Sequence, residues 1–311
     1  MWAQASRKLT SCFKRMRILI IGSKGFIGSN ACRCFRAKEF EVFEANFKIN
    51  AVKSQNNNEP HDKLKELFQS QSFDICINAS GSSTVAFSIE HEQEDYELNY
   101  INVKVILEAI KLWQPKCKFI NLSSAAVYGN PANLPVNENA PANPISPYGK
   151  HKLLSEQLLL EGANNDGLAT LSLRVFSVYG NGLKKQLFWD IYQKSLKGSL
   201  IELYGTGNET RDFIHIDDLM FALEQIILNA SFDGSKINVA SGIETKIQSA
   251  AFTLVKNLNP KLKISFNGVQ NNIDPNYWQA DISRLKMLGF IPKVSLEEGL
   301  KKYAAWLNES N

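Results

Sequence analysis

The sequence predicts an α/β fold built on a doubly wound parallel sheet, and three observations carry that expectation. Apolar runs of strand length, such as Arg17–Ile21 and Phe73–Ile77, read as strands buried on both faces rather than as half-exposed ones. Stretches with helical spacing lie between such runs, so that strand and helix alternate along the chain. A glycine-rich turn, Gly22-Ser23-Lys24-Gly25-Phe26-Ile27-Gly28, follows the first run at once and opens the first helical stretch.

Taken in order, Arg17–Ile21 is the first strand and the helix after the turn runs to Ala37. Glycines at Gly22, Gly25 and Gly28 let backbone N–H groups approach a pyrophosphate at the helix N-terminus, where the helix dipole also favours an anion. This is the Rossmann-type arrangement, and the strand in front of the turn puts cofactor binding ahead of a tight turn that binds nothing. Glu41–Ala45 is the second strand. An acidic residue is expected about 20 residues past the glycines to hold the adenosine ribose of NAD. The chain has Asn46 there, with Glu44 before it and Lys48 after, while Lys24 could face a 2′-phosphate; the cofactor is therefore read as NAD or NADP. Residues 54–58 form a polar loop and Leu64–Phe68 a short helix. Phe73–Ile77 is a further strand, ending in Asn78-Ala79-Ser80-Gly81, whose small side chains would let a cofactor lie against the backbone.

Tyr96–Leu112 has helical spacing, and Lys118–Leu122 is the next strand, with Ser123, Ser124 and Tyr128 beyond its carboxyl end, where such sheets bind ligands. A proline-rich loop then leads to Ser146-Pro147-Tyr148-Gly149-Lys150-His151-Lys152. Ser146 is an N-cap and Pro147 sits in the first turn, where a missing N–H costs nothing. Tyr148 and Lys152 then share a helix face, so the ammonium could pull the phenol toward a working general acid or base. Gly162, with Asn164 and Asn165, is expected to stop this helix, and His151 to be an exposed helix residue. Thr170–Val175 is a strand, Tyr179–Gly182 a loop, Phe188–Leu196 a helix and Ile201–Tyr204 a short strand. An amphipathic helix follows from Asp217 to Asn229, and the last part, from Gly242 to Asn311, alternates helices with one short strand near Ile264 and ends in a helix over Leu296–Trp306.

Composition narrows the class. With 44% hydrophobic and 21% charged residues over 311 positions, the chain is an ordinary globular protein able to bury a core. The net charge of +4 arises largely from basic residues before position 18, which is no footprint for nucleic acid. Five cysteines without paired spacing read as reduced thiols in a cytoplasmic protein, and no metal site is expected. No run is long and apolar enough for a membrane span. Residues 1–16 are basic without an apolar core, and Met16 is the expected working start, so they are read as an extension outside the fold.

The order and spacing of these motifs resemble the extended short-chain dehydrogenase/reductase family, in its NAD-dependent epimerase/dehydratase branch of nucleotide-sugar enzymes. The resemblance runs from Arg17 to Trp306. It rests on Gly22, Gly25 and Gly28; on Asp74–Gly81; on Asn99 nine residues before Glu108; on Ser124 four before Tyr128; on Tyr148 and Lys152; and on Leu173-Arg174, Tyr179-Gly180, Arg211–Asp218 and Leu288–Pro292. It implies a dinucleotide-binding domain over residues 17–176 and a smaller C-terminal α/β substrate-binding part over 177–311, with segments around 206–242 returning to the first. It further implies that Tyr148 moves a proton of a sugar hydroxyl, that Lys152 tunes Tyr148 and binds the nicotinamide ribose, and that Ser124 hydrogen-bonds the reacting oxygen. Gly22, Lys24, Gly25, Phe26, Ile27, Gly28, Asn46, Ala79, Ser80, Gly81 and Asn99 would line the cofactor, with Asn99 supporting the catalytic residues. Arg211 would pair with the diphosphate of a nucleotide-diphosphate sugar, His215 would be structural, and the enzyme would be a homodimer through its Tyr96–Leu112 and Tyr148–Glu161 helices.

The departures from the family pattern define the expected reaction. Dehydratases of the family carry an acid pair directly after the catalytic hydroxyl residue, and this chain has Ala125 and Ala126 there. Two activities at C4 remain: a UDP-glucose 4-epimerase-like reaction that recycles its cofactor, and an NADPH-dependent reduction of a nucleotide-4-keto-6-deoxysugar. Lys24, Lys48 and Asn46 lean to the reductase; the full set of second-half motifs leans to the epimerase. Ser177 replaces an asparagine common near the nucleotide, which leaves the base open. A non-catalytic dinucleotide sensor or scaffold is the alternative of another class, and an intact Ser124, Tyr148 and Lys152 set argues against it.

Overall fold

The structure, a computed structural model, describes residues 16–47, 59–269 and 275–309. The basic extension, Lys48 and the polar loop at 54–58 lie outside the described residues. Strand β1 (Arg17–Ile21) leads through the glycine turn into helix α1 (Phe26–Ala37), then β2 (Glu41–Ala45). Helix α2 spans Glu59–Ser70 and β3 Ile75–Asn78. Three helical pieces follow, α3 (Val85–Glu90), α4 (Glu92–Tyr96) and a π-helical turn (Glu97–Ile101), which runs straight into α5 (Asn102–Trp113). Strand β4 (Lys118–Ser124) ends in a 3-10 turn (Ala125–Tyr128), and α6 (Pro147–Asp166) precedes β5 (Thr170–Val175).

Beyond them come β6 (Ser177–Tyr179), α7 (Gln186–Ser195), β7 (Leu200–Leu203), β8 (Thr210–His215), α8 (Ile216–Asn229), β9 (Lys236–Val239) and β10 (Glu244–Lys246). The chain closes with α9 (Ile247–Leu258), β11 (Lys263–Phe266), α10 (Ser283–Met287) and α11 (Leu296–Glu309). The large sheet has the order β2-β1-β3-β4-β5-β9, and β1 pairs in parallel with both β2 and β3. The winding direction therefore reverses between β1 and β3, and the crevice that ligands use in such sheets opens at the carboxyl ends of these two strands. Smaller sheets are β10-β8-β6 and β11-β7.

The described residues divide into two compact units, one falling within 16–127, 146–174 and 231–236, the other within 128–145, 175–230 and 237–309. In the first, the buried β1 residues Leu19 and Ile21 join Leu64, Phe68, Val103, Ile106, Ile110 and Leu159 in one apolar cluster that covers a sheet face with α2, α5 and α6. In the second, Asp212 of β8 accepts hydrogen bonds from the backbone of Ser241, Gly242 and Ala280 and from the Ser241 hydroxyl, which ties β8 to the segments that follow it. No helix among the described residues is long and apolar enough to cross a membrane.

Several element boundaries differ from the sequence expectation. Helix α6 runs through Gly162 to Asp166 and stops at Gly167, which adopts φ 67° and whose N–H bonds the carbonyl of Ala163. Gly162 lies inside the helix, where a Cβ would come within 3.2 Å of the Leu107 side chain and 3.4 Å of that of Leu168. The expected single helix over Tyr96–Leu112 begins earlier and contains the π turn, and β4 extends to include Ser123 and Ser124. Tyr179 closes strand β6 rather than opening a loop, and β10 is a strand that helical spacing hides.

Candidate active site

At the β1 end of the crevice, Gly22 has φ 83°, and a Cβ on it would lie 2.6 Å from the Ser80 nitrogen and 2.8 Å from the Ala79 carbonyl oxygen. A Cβ on Gly28 would collide with the Gly22 carbonyl oxygen, so only glycine allows α1 to pack this near the turn. Gly25 is the N-cap and donates its N–H to the Gly22 carbonyl at 3.0 Å. No side chain caps α1 and no acidic residue lies in its first turn. Phe26 and Ile27, the first two helical residues, are half-buried. The helix dipole is thus left to favour an anion, and the residues present fit a dinucleotide's pyrophosphate.

Asn46 is committed to the turn itself. Its Oδ1 accepts the Lys24 N–H at 3.1 Å and its Nδ2 donates to the Ser23 hydroxyl at 2.7 Å. Beside it, Arg36 pairs with Glu44 at 2.6 Å and holds that carboxylate below the usual range, helped by Ser23. The Lys24 side chain is exposed.

At the β3 end, Ala79 and Ser80 are half-buried and Gly81 has φ 114°; a Cβ on Gly81 would strike the Asn99 Oδ1. Asn99 sits in the π turn, fully buried, and its Nδ2 donates to the Ser82 hydroxyl at 2.9 Å and to Asp95 Oδ1 at 3.0 Å. Its own Oδ1 is buried with no hydrogen-bond partner, as is that of Asn102, whose Nδ2 donates to the Ser80 hydroxyl at 2.6 Å. Such acceptors are rare in a finished interior and common at sites that receive a ligand donor.

Ser124 closes β4, and its Oγ accepts the Ala126 N–H at 3.2 Å and hydrogen-bonds the Tyr148 phenol. Ser146 caps α6 by accepting the Gly149 N–H at 3.2 Å, which fixes the turn that presents Tyr148. One turn on, Lys152 Nζ donates to the Leu122 carbonyl at 2.8 Å and lies 5.8 Å from the centre of the Tyr148 ring. Burial pushes the Tyr148 phenol up to about 12, against the pull of the Ser124 hydrogen bond and with the push of the Asp95 charge. Burial likewise lowers Lys152 to about 8, opposed by Asp95 and Glu156. Desolvation thus sets the upward direction for the phenol, and the Ser124 hydrogen bond is what opposes it. A phenol beside a serine hydroxyl can give a proton to, or once ionised take one from, an oxygen that both can reach.

His151 is buried, with 6% of its surface exposed, rather than lying on an open helix face. Its Nδ1 is 2.6 Å from Asp95 Oδ2, and its ring meets Tyr96 edge to face at 5.3 Å. No spacing in the sequence points to Asp95, Ser82 or His151, because the residues that meet here come from separate elements. Below them, Asn78 donates to Asn121 Oδ1 at 2.9 Å, Asn121 to the Ser155 hydroxyl at 3.1 Å, and Ser155 to the Lys152 carbonyl at 2.7 Å.

All these residues belong to the first unit; Arg211 belongs to the second. There its Nη1 donates to the carbonyls of Thr210 and Pro275, both at 2.8 Å, and its guanidinium lies 5.3 Å from the centre of the Trp278 indole. His215 caps α8 by accepting the Asp217 N–H on Nδ1, a structural job.

A family model described as the NAD dependent epimerase/dehydratase family matches residues 18–240. Among curated proteins, a putative UDP-glucose 4-epimerase of Methanocaldococcus jannaschii is 27% identical over 94% of this chain and 99% of its own length. The UDP-glucose 4-epimerase of Azospirillum brasilense is 27% identical over 78% of this chain and 74% of its own. Among solved structures, the UDP-glucose 4-epimerase of Thermotoga maritima with UDP-glucose superposes with a TM-score of 0.85 at 25% identity, covering 95% of this chain and 99% of that one. A UDP-glucuronic acid 4-epimerase of Bacillus cereus, solved with a fluorinated UDP-glucuronic acid and NAD, gives 0.84 at 26% identity, covering 95% and 100%.

Proposed function

The chain belongs to the NAD dependent epimerase/dehydratase family, and on that premise we propose that it is a nucleotide-sugar 4-epimerase acting on a UDP-hexose. The observation that carries this reading is the meeting of Ser124, Tyr148 and Lys152 beside a turn in which Ala125 and Ala126, both buried, stand where an elimination would need an acid and a base. Hydride chemistry at one carbon is supported there, and loss of water is not.

In this reading the glycine turn and the N-terminus of α1 hold the dinucleotide's pyrophosphate, Ala79, Ser80 and Gly81 lie along it, and Lys152 holds the nicotinamide ribose. The nicotinamide supplies the hydride acceptor and donor. Tyr148 takes the proton of the C4 hydroxyl as the C4 hydride departs, leaving a 4-keto sugar. With the other face of the ring presented, Tyr148 would give the proton back to the 4-keto oxygen as that carbon is reduced again. Ser124 orients that oxygen throughout, and the Lys152 ammonium would stabilise the phenolate that takes the proton in the first step and is regenerated by the second. Arg211 would pair with the diphosphate of the sugar nucleotide. The exposed Leu112, Leu154 and Leu160 on α5 and α6 support a homodimer through these helices, which a monomer mass in solution would contradict.

A second reading, an NADPH-dependent 4-ketoreductase, is favoured by one observation: β2 is followed by Asn46, bound to its own turn, and not by an acid that would hold a free ribose 2′-hydroxyl. The test is to incubate the protein with NAD and, in turn, the UDP-hexoses that differ at C4. Interconversion of a C4 pair with no net NADH supports the epimerase. Stoichiometric loss of NADPH with a 4-keto sugar and no interconversion overturns it in favour of the reductase.

A further inference from the structure

Two polar chains tie the β3 end of the cofactor crevice to the helix that carries Tyr148 and Lys152. The first passes beneath the site, from Asn78 through Asn121 and Ser155 to the Lys152 carbonyl. The second passes on the other side and contains a charge. Ser82, next to Gly81, donates its hydroxyl to Asp95 Oδ1, Asn99 bonds both of them, and Asp95 Oδ2 meets His151 Nδ1 at 2.6 Å.

His151 follows Tyr148 by three residues and precedes Lys152, so whatever fixes its ring fixes the turn of α6 that aims both. Asp95 is fully buried and so depends on its hydrogen bonds, and a buried carboxylate that loses one draws water or a neighbour toward it. Its charge is also felt by both Tyr148 and Lys152. With His151 donating from Nδ1, the carboxylate is satisfied without turning to Lys152, and the ammonium keeps its bond to the Leu122 carbonyl and its remaining donors.

We propose that His151 is a positioning residue: by clasping Asp95 it holds the Tyr148–Lys152 turn against the Ser82–Asn99 segment and so shapes the nicotinamide end of the cofactor site. This rests on the reading that Lys152 holds the nicotinamide ribose. The clasp holds the turn of α6 that carries Tyr148 and Lys152 and makes no hydrogen bond to the glycine turn, so the two ends of the cofactor should feel it differently.

The test uses the full chain and two probes measured side by side. One is the reduced dinucleotide, NADH or NADPH, whichever the unaltered protein binds more tightly, followed by its fluorescence. The other is the matching ADP-ribose, with or without the 2′-phosphate, which lacks nicotinamide. His151→Leu is expected to weaken the dinucleotide roughly tenfold, the affinity scale of one net hydrogen bond, while ADP-ribose binds as before. His151→Asn, which keeps an N–H close to the Nδ1 position, is expected to restore dinucleotide binding to within about threefold. The proposal is overturned if His151→Leu binds the dinucleotide normally, if both probes weaken together, or if His151→Asn behaves like His151→Leu. A different result marks failure of the cofactor reading itself: an unaltered protein that binds neither dinucleotide nor ADP-ribose.

Discussion

Gly28 lies so near Gly22 that a methyl group on it would collide with the Gly22 carbonyl oxygen, which places the first turn of α1 directly on the end of β1. Gly28→Ala must therefore push the helix off the turn. The expected result is a stability loss of about 1–3 kcal/mol, typical of overpacking, with loss of dinucleotide binding. Chemical denaturation and a fluorescence titration check it; a variant with unchanged midpoint and affinity would show that the turn has slack.

Tyr148→Phe removes only the phenol oxygen from a buried ring that Lys152 and the α6 backbone keep in place. Fold, melting temperature and dinucleotide affinity are expected to stay close to those of the unaltered protein, while turnover falls by at least about a hundredfold, the usual scale for a lost acid–base group. Near-normal turnover would sink the mechanism.

The residues of that mechanism are legible in the sequence because each sits at a point that local rules identify. Ser146 and Pro147 mark a helix start, so Tyr148 and Lys152 follow at fixed phase; the glycines mark a turn between a strand and a helix. Contact between distant segments leaves no such mark. His151 reads as exposed because a lone polar residue on a helix usually is, and only the fold brings Asp95 under it. Burial of Tyr148 is equally invisible in the sequence, and with it the upward direction of its pKa. Gly162 misleads because glycine more often ends a helix than lines a close contact inside one.

Lys24 donates its backbone N–H to Asn46 while its side chain stays exposed beside the β2 end. Lys24→Ala is expected to leave NADH affinity unchanged and to weaken NADPH by roughly two- to fivefold, as an exposed charge allows. Titrating both dinucleotides against both proteins measures the ratio, and an unaltered preference would remove Lys24 from cofactor selection.

Arg174 and Glu156 form a buried ion pair at 2.7 Å, and Glu156 also accepts the Ser123 hydroxyl at 2.6 Å. Glu156→Leu alone leaves the guanidinium without its carboxylate and is expected to cost about 3–5 kcal/mol. The double variant Glu156→Leu with Arg174→Met should recover most of that loss, since the desolvation cost of both charges disappears. Equal denaturation midpoints for the single and double variants would contradict this.

Lys152 has a folded pKa of about 8, below the ordinary lysine value. Between about pH 8 and 10 the unfolded chain therefore binds a proton that the folded chain has given up, so stability rises with pH across that window, and the cost of the buried ammonium is fully present below it. Relative to Lys152→Met, the unaltered protein should gain stability from pH 7 to about pH 10. A constant difference over that range would mean that the ammonium is not strained by burial.

The π turn at Glu97–Ile101 gives one helical segment an extra residue. It acts as a phase shifter: upstream, Asp95 faces His151, and downstream, Val103, Ile106 and Ile110 still face the core, although a regular α-helix through the same chain would be out of step by about 100°. The segment thus carries a polar face for the site and an apolar face for the sheet in registers that are set independently. Deleting a single residue inside the turn would be the smallest edit that forces the protein to choose between them.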